Sequence, residues 1–301
     1  MPDTPSSRWS DLDRPALDAA ALQAALTRDT ALWRTVEVVA EVGSTNAALA
    51  AAAADGASEG TVLVAEHQVT GRGRLDRVWT SPPRAGLTVS FLLRPDVPAA
   101  RRGWLPLLTG VALAESVREV AGVLATVKWP NDLLARDGRK LAGILAESVG
   151  GGGEPAGVVV GVGLNVSTTA AELPATGTSL SVVTGGVVDR APVLLAFLRA
   201  LERRYRGWVA ALGDPVVSGL ARDYLSWSST VGSTVEVTMP DGSALVGTAR
   251  AIDWGGRLVL DTAEGQVELA SGDVRHVRRP RSGTEGAGGA DGTDTPPGPR
   301  P

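Results

Sequence analysis

The chain contains no cysteine and only two histidines, His67 and His276. The first absence excludes disulfides, thiol catalysis and cysteine-ligated metals. The second leaves a multi-histidine metal site or a Ser-His-Asp triad little to draw on. No basic stretch leads into an apolar core at the N-terminus, so no signal peptide is expected. The longest uniform apolar run there, Ala47–Ala54, is alanine-rich and far too short to span a bilayer. A soluble, cytoplasmic protein is expected, without membrane attachment. The formal net charge is only −4, so no global field draws in nucleic acid or an anionic membrane. Any anion must be held by local clusters. What is present is a chain of 301 residues, 44% hydrophobic, enough for one sizeable core and a small second domain.

Pattern and punctuation divide the chain. Residues 1–30 read as an N-terminal extension with one short helix, Pro15–Arg28, after a poorly ordered stretch 1–13. A main domain follows over residues 31–228. Strands are expected at Val36–Ala40, Thr61–Glu66, Gly86–Leu93 and Gly157–Val166, and helices at Leu105–Val120 and Ala191–Leu212. Ser44-Thr45-Asn46 suits a helix N-terminus, and the alanine-rich helix after it should stop near Asp55-Gly56. Strands and helices do not alternate strictly, so the fold class is α+β with a mixed sheet. Gly150–Gly153 reads as a linker. From residue 229 to 279, four or five short alternating runs separated by glycine turns suggest a small β-barrel. Residues 280–301 have almost no apolar content and read as a disordered tail.

Four clusters carry chemistry. Gly71-Arg72-Gly73-Arg74, with Arg77 and Trp79 beyond it, offers backbone N–H groups and planar cations to an anion; taken alone it reads equally as a basic surface loop. Ser44-Thr45-Asn46 is an ordinary N-cap whose spare hydroxyls also suit a neutral polar ligand. Lys128-Trp129-Pro130-Asn131-Asp132 and Arg139-Lys140-Leu141-Ala142-Gly143-Ile144-Leu145-Ala146-Glu147 read as the halves of one tight hairpin turned at Asp137-Gly138. A lysine entering an apolar strand needs an anionic partner. Each lysine alone could be a solvated strand end. Gly161-Val162-Gly163-Leu164-Asn165 lacks the third glycine and the helix of a dinucleotide fingerprint; its glycines allow either a close ligand approach or a strand kink. Most of the eight tryptophans are expected in the core, while Trp79 and Trp129 lie near the polar clusters, where they are placed to cover a ligand ring or exclude water.

In order and spacing, Ser44-Thr45-Asn46, Glu66-x-Gln68-x-x-Gly71-Arg72-Gly73-Arg74, Lys128-Trp129-Pro130-Asn131-Asp132, Lys140-Leu141-Ala142-Gly143-Ile144-Leu145 and Gly161-x-Gly163-Leu164-Asn165 resemble the motifs of the bacterial biotin protein ligases. The likeness covers residues 36–278. It implies a catalytic sheet related to class II aminoacyl-tRNA synthetases and an SH3-like C-terminal domain. It implies that biotin and Mg-ATP give biotinyl-5′-AMP, and that a lysine of a biotin carboxyl carrier protein of an acyl-CoA carboxylase then takes the biotinyl group. By that likeness Lys140, Arg72 and Arg74 would be catalytic. Ser44, Thr45, Asn46, Gln68, Gly71, Gly73, Trp79, Gly143, Leu145 and Gly163 would join them in binding biotin. Arg74, Arg77, Asn131, Asp132, Lys140 and Asn165 would face ATP, and Asp132 a Mg²⁺ ion. The loop 71–80 would act as a lid, with Trp79 over biotin. Too few residues precede the first matched strand for a winged helix-turn-helix, so a monofunctional ligase is expected, monomeric or weakly dimeric, with no nucleic-acid partner. A lipoate–protein ligase and a non-catalytic biotin-binding regulator are the rival readings.

Overall fold

The computed structural model describes residues 14–28, 31–74, 77–150 and 157–277. The expected disorder of 1–13 and 280–301, and most of the Gly150–Gly153 linker, lie outside the described residues. Seven strands form the main sheet: β1 (Thr35–Val42), β2 (Thr61–Gln68), β3 (Gly86–Leu93), β4 (Ala125–Lys128), β5 (Asp132–Ala135), β6 (Lys140–Val149) and β7 (Gly157–Asn165), in the order β1-β2-β3-β7-β6-β5-β4. Only β1 and β2 run parallel, because helix α2 (Thr45–Ala54) crosses between them. The other neighbours are antiparallel. The sheet is therefore mixed, as expected.

Helices α1 (Ala19–Thr27), α3 (Trp104–Ala121), α4 (Leu180–Thr184), α5 (Arg190–Ala210) and α6 (Leu220–Trp227) complete the domain. Helix α1 begins later than Pro15, because the Asp18 side chain accepts from Ala21 N and caps it. Two short helices, α4 and α6, were not apparent in the sequence pattern; they have only five and eight residues. α3 and α5 lie together against one face of the sheet. Phe91 of β3 meets Trp33 and Phe197 there, with ring centroids 5.8 and 6.1 Å apart. Fully burying one such side chain contributes about 1.5–3 kcal/mol.

Strands β8 (Thr234–Thr238), β9 (Ala244–Ile252), β10 (Leu258–Thr262), β11 (Gly265–Leu269) and β12 (Asp273–His276) form a second antiparallel sheet, ordered β11-β10-β9-β8-β12. Its turn at 253–256 docks on the start of α3. Trp104 Nε1 donates to Asp253 O at 3.0 Å and Trp129 Nε1 to Gly256 O at 3.1 Å. Trp129 is thus an inter-domain anchor, 1% exposed, rather than a cover for a ligand ring.

The lysine segment is also not one hairpin. It forms three consecutive strands, β4-β5-β6, with two turns. Residues 129–131 form the first turn, so Lys128 pairs with Asp132 in register; the Trp129-Pro130 bond in it is cis. Asp137-Gly138 makes the second, as expected, with Gly138 at φ +83°.

Candidate active site

The second face of the sheet carries the site. On β7 the side chains of Val158, Val160, Val162 and Leu164 enter the main core. Alternation turns Gly161, Gly163 and Asn165 the other way. On β3, Thr88 stands opposite Gly163 and Ser90 opposite Gly161. On β6, Gly143 and Leu145 pair with the same two glycines. The result is a floor of glycines and hydroxyls under a cavity of about 240 Å³.

A one-residue irregularity in the β5–β6 pairing aims the key cation. Leu133 pairs with Ala142, but Leu134 pairs with Lys140. Strict alternation would send Lys140 toward the core with Ala142 and Ile144. The extra residue lets Leu141 and Ala142 both pack inward and returns Lys140 to the face of Gly143. A Cβ on Gly143 would lie 3.3 Å from Lys140 Nζ. The ammonium is 2.6 Å from Asp132 Oδ1 and 5.7 Å from the centroid of the Trp79 ring. The anionic partner that a strand-entry lysine needs is therefore supplied within the chain.

One end of the cavity is neutral. Ser44 caps α2 by accepting from Ala47 N. Gln68 Oε1 accepts from Thr45 N at 2.8 Å and lies 3.0 Å from Thr45 Oγ1. Asn46 Nδ2 donates to Glu147 Oε2 at 2.6 Å and to Leu145 O at 3.2 Å. The other end is cationic. Arg74 Nη1 donates to Asn131 Oδ1 and to Gly272 O, each at 3.4 Å. Burial lowers the Arg74 pKa from its ordinary value, against the opposing pull of Asp132 and Asp273. Arg77 pairs with Asp273 at 2.6 Å. That hydrogen bond raises the Arg77 pKa and lowers that of Asp273.

Trp79 lies between the two ends. A Cβ on Gly163 would sit 2.4 Å from its indole, so only glycine leaves room for the ring. Gly161 likewise makes room for Asn46, whose Oδ1 would be 2.1 Å from an added Cβ. Both glycines thus admit side chains of the protein itself.

The loop after β7 forms the remaining wall. Lys140 N donates to Thr176 O and Thr178 N to Lys140 O, while Asn165 Nδ2 holds Thr178 O at 3.0 Å. Arg14 reaches over to pair with Glu172 at 2.6 Å. Its hydrogen bond holds the Glu172 carboxyl at about 2, below the ordinary carboxylate range.

Of the residues that the resemblance assigns to biotin, ATP or a metal ion, all but one line this cavity. The exception is Gly71, which serves the loop itself. Trp79 N donates to its carbonyl, and a Cβ there would meet Trp79 O at 2.2 Å. Lys128 is not in the cavity wall either. Sequence reading missed Thr88, Glu172–Pro174, Gly272 and Asp273. For Thr88 a signal was available: two hydroxyls at i and i+2, Thr88 and Ser90, in an otherwise apolar strand.

Comparison with known proteins supplies the family. Residues 41–165 match the Biotin/lipoate A/B protein ligase family, and residues 230–277 match the Biotin protein ligase C terminal domain. A biotin–[acetyl-CoA-carboxylase] ligase of Mycobacterium tuberculosis is 44% identical over 270 residues, covering 88% of this chain and 97% of that protein. The bifunctional ligase/repressor BirA of Bacillus subtilis is 36% identical over 225 residues, covering 72% of this chain and 66% of its own length. The biotin protein ligase from Aquifex aeolicus in complex with biotin and ATP superposes with a TM-score of 0.67 at 28% identity, covering 82% of this chain and 100% of that one. With both family domains present in order, and nearly the whole mycobacterial ligase matched, the chain belongs to the biotin protein ligases.

Proposed function

We propose that this cavity joins the carboxylate of biotin to the α-phosphate of ATP, and then passes the biotinyl group to a lysine of a carrier protein of an acyl-CoA carboxylase. The observation that carries this reading is the division of the cavity. A neutral, hydrogen-bonding end suits a ureido ring, a cationic end suits a polyphosphate, and Lys140 stands where the two ligands would meet. The Thr45–Gln68 end would hold the ring, with Ser44 beside it. Trp79 would cover the apolar middle and keep water from the acyl adenylate. Arg72, Arg74 and Arg77, with Asn131 and Asn165, would receive the nucleotide.

In the first step a biotin carboxylate oxygen forms a bond to the α-phosphorus, and pyrophosphate leaves with the bridging oxygen. Two anions must approach, so the site must supply positive charge. The Lys140 ammonium, held ready by Asp132, would shift onto the oxygens shared between carboxylate and phosphate. In the second step the carrier amine attacks the acyl carbon. AMP departs with its phosphate oxygen, and the new amide nitrogen gives up a proton.

The residues fit a magnesium ion that enters on the nucleotide. Among the described residues no three acidic or histidine side chains converge on one point. Mg²⁺ commonly keeps phosphate oxygens and waters and takes one or two carboxylates; Asp132 would supply one. When bound, the ion would offset polyphosphate charge. Among the described residues no helix is long and apolar enough to cross a membrane, and the proposal places the enzyme in the cytoplasm with its ATP.

The test is to mix the protein with biotin, Mg-ATP and a carrier domain, and to follow the acceptor lysine by mass spectrometry. A mass gain matching one biotinyl group is expected. No adenylate and no transfer would overturn the assignment.

A further inference from the structure

Strand β6 outruns its neighbour. It begins at Lys140, but its pairing with β7 begins only at Ala142. Lys140 and Leu141 therefore have no β7 backbone beside them. On the opposite side the β5 pairing slips at the same place, from Leu133 with Ala142 to Leu134 with Lys140. A strand end with one neighbour missing and the other out of step is prone to fray. Yet this end carries the ammonium.

The return arm of the loop between β7 and α4 takes the place of β7. Lys140 N donates to Thr176 O at 2.8 Å, and Thr178 N donates to Lys140 O at 2.9 Å. Together they make a parallel bridge from Lys140 to Gly177. Both backbone groups of Lys140 are thereby met.

The loop has anchors of its own besides Lys140. Ser179 is 0% exposed. Its Oγ donates to Thr168 O at 2.6 Å and accepts from Val182 N at 3.2 Å. One hydroxyl thus ties the return arm to the outgoing arm and caps α4. The outgoing arm is braced by Arg14. Its Nη2 donates to Ser167 O at 3.2 Å and pairs with Glu172 at 2.6 Å. Glu172 in turn accepts from Thr169 N at 2.8 Å. The segment around Arg14 is fixed as well. Pro15 O accepts from Arg190 Nη2 at 2.7 Å, and Leu17 N donates to Glu66 Oε1 at 2.6 Å. Arg190 and Glu66 are themselves a buried ion pair.

We infer that the loop 167–178 is the element that aims Lys140, and that Ser179 and Arg14, which pin its two arms, are positioning residues for that lysine. The inference rests on the role given to Lys140 above. Neither Ser179 nor Arg14 lines the cavity; both act through the loop and its backbone bonds to Lys140.

Lys128 and Lys140 are the only lysines in the chain, so one can be read against the other. The test treats the full, ligand-free chain with N-hydroxysuccinimidyl acetate and follows acetylation of each amine by peptide mass. In Ser179→Ala the arm loosens and Lys140 Nζ leaves Asp132, so the Lys140-to-Lys128 rate ratio should rise by about threefold, the scale of one ion pair. In the same variant kcat for adenylate formation should fall by about tenfold to a hundredfold, with KM for biotin and ATP within about threefold, since a displaced group costs rate more than ground-state binding. Arg14→Ala removes a partly exposed brace and should move both readouts the same way by less. It tests the idea even if Ser179→Ala fails to fold. Phe91→Ala loses packing on the other face of the sheet and should leave the labelling ratio unchanged. An unchanged or lower ratio in Ser179→Ala, or in Arg14→Ala where the serine variant does not fold, overturns the inference. So does an equal rise in Phe91→Ala, or a KM change as large as the change in kcat. An unmodified chain that makes no adenylate overturns the functional reading instead, whatever the labelling shows.

Discussion

The two faces of the main sheet are made from the same strands and are opposite in character. On the α3/α5 face, β3 and β7 present Leu87, Val89, Phe91, Val160, Val162 and Leu164, all in the core. On the other face the same strands present Thr88, Ser90, Gly161, Gly163 and Asn165. A fully packed face tolerates little change in volume. That rigidity is what allows the opposite face to hold hydroxyls, and glycines that admit Trp79 and Asn46, at fixed positions along the cavity. Stability and chemistry are thus separated by the period-two alternation of single strands.

Substitutions on the two faces should separate the same way. The largest effect is expected from Lys140→Ala: adenylate formation falls by about a thousandfold or more, the scale of losing a group that meets transition-state charge, while circular dichroism and melting temperature hold. Retained pyrophosphate release with biotin and ATP would remove Lys140 from the chemistry. The converse change is Phe91→Ala on the packed face. It should cost about 3–5 kcal/mol of stability, measured by denaturant unfolding, with KM for both substrates nearly unchanged in the folded fraction. Gly163→Ala should do the reverse, displacing Trp79 and raising KM for biotin by about tenfold. Equal effects of these two on stability and KM would end the separation of faces.

Smaller changes sharpen it at the rim. Asp273→Asn releases Arg77, and KM for ATP should rise by about two- to fivefold. The pair is exposed, so this effect should shrink as salt is added. The smallest effect concerns Arg14. Glu172 binds its proton less readily folded than unfolded, with a pKa lowered from 4.5 to about 2. The pair therefore stabilises the fold above pH 4.5, and that contribution is lost as pH falls toward 2. In Arg14→Ala, melting temperature should depend less steeply on pH across that window. An unchanged slope would show that the pair is not coupled to folding.

Much of this was legible in the residues. The glycine positions, Trp79, Lys140 and the Arg72–Arg77 loop were all readable as a binding surface, because each breaks a local pattern: a glycine inside an apolar run, or a cation at a strand entry. The aim of Lys140 was not readable. Counting by twos from Ile144 puts it in the core, and only the irregularity beside Leu141 turns it outward. Nor could the sequence bring Asp273 to Arg77, since that contact depends on how the second sheet docks. Trp129 misled for the same reason: it neighbours polar motif residues in the chain but packs toward the 253–256 turn. The loop 169–177 has no periodicity at all, and its place over the cavity is set by backbone bonds to Lys140.

The contact from Arg74 to Gly272 joins residues 198 apart in the chain. On the ribosome, at about 5–20 residues per second, roughly 10–40 seconds separate the synthesis of the two. The cationic wall is therefore incomplete until almost the last described strand has been synthesised, so a growing chain holds Arg74 without its Gly272 partner for that interval.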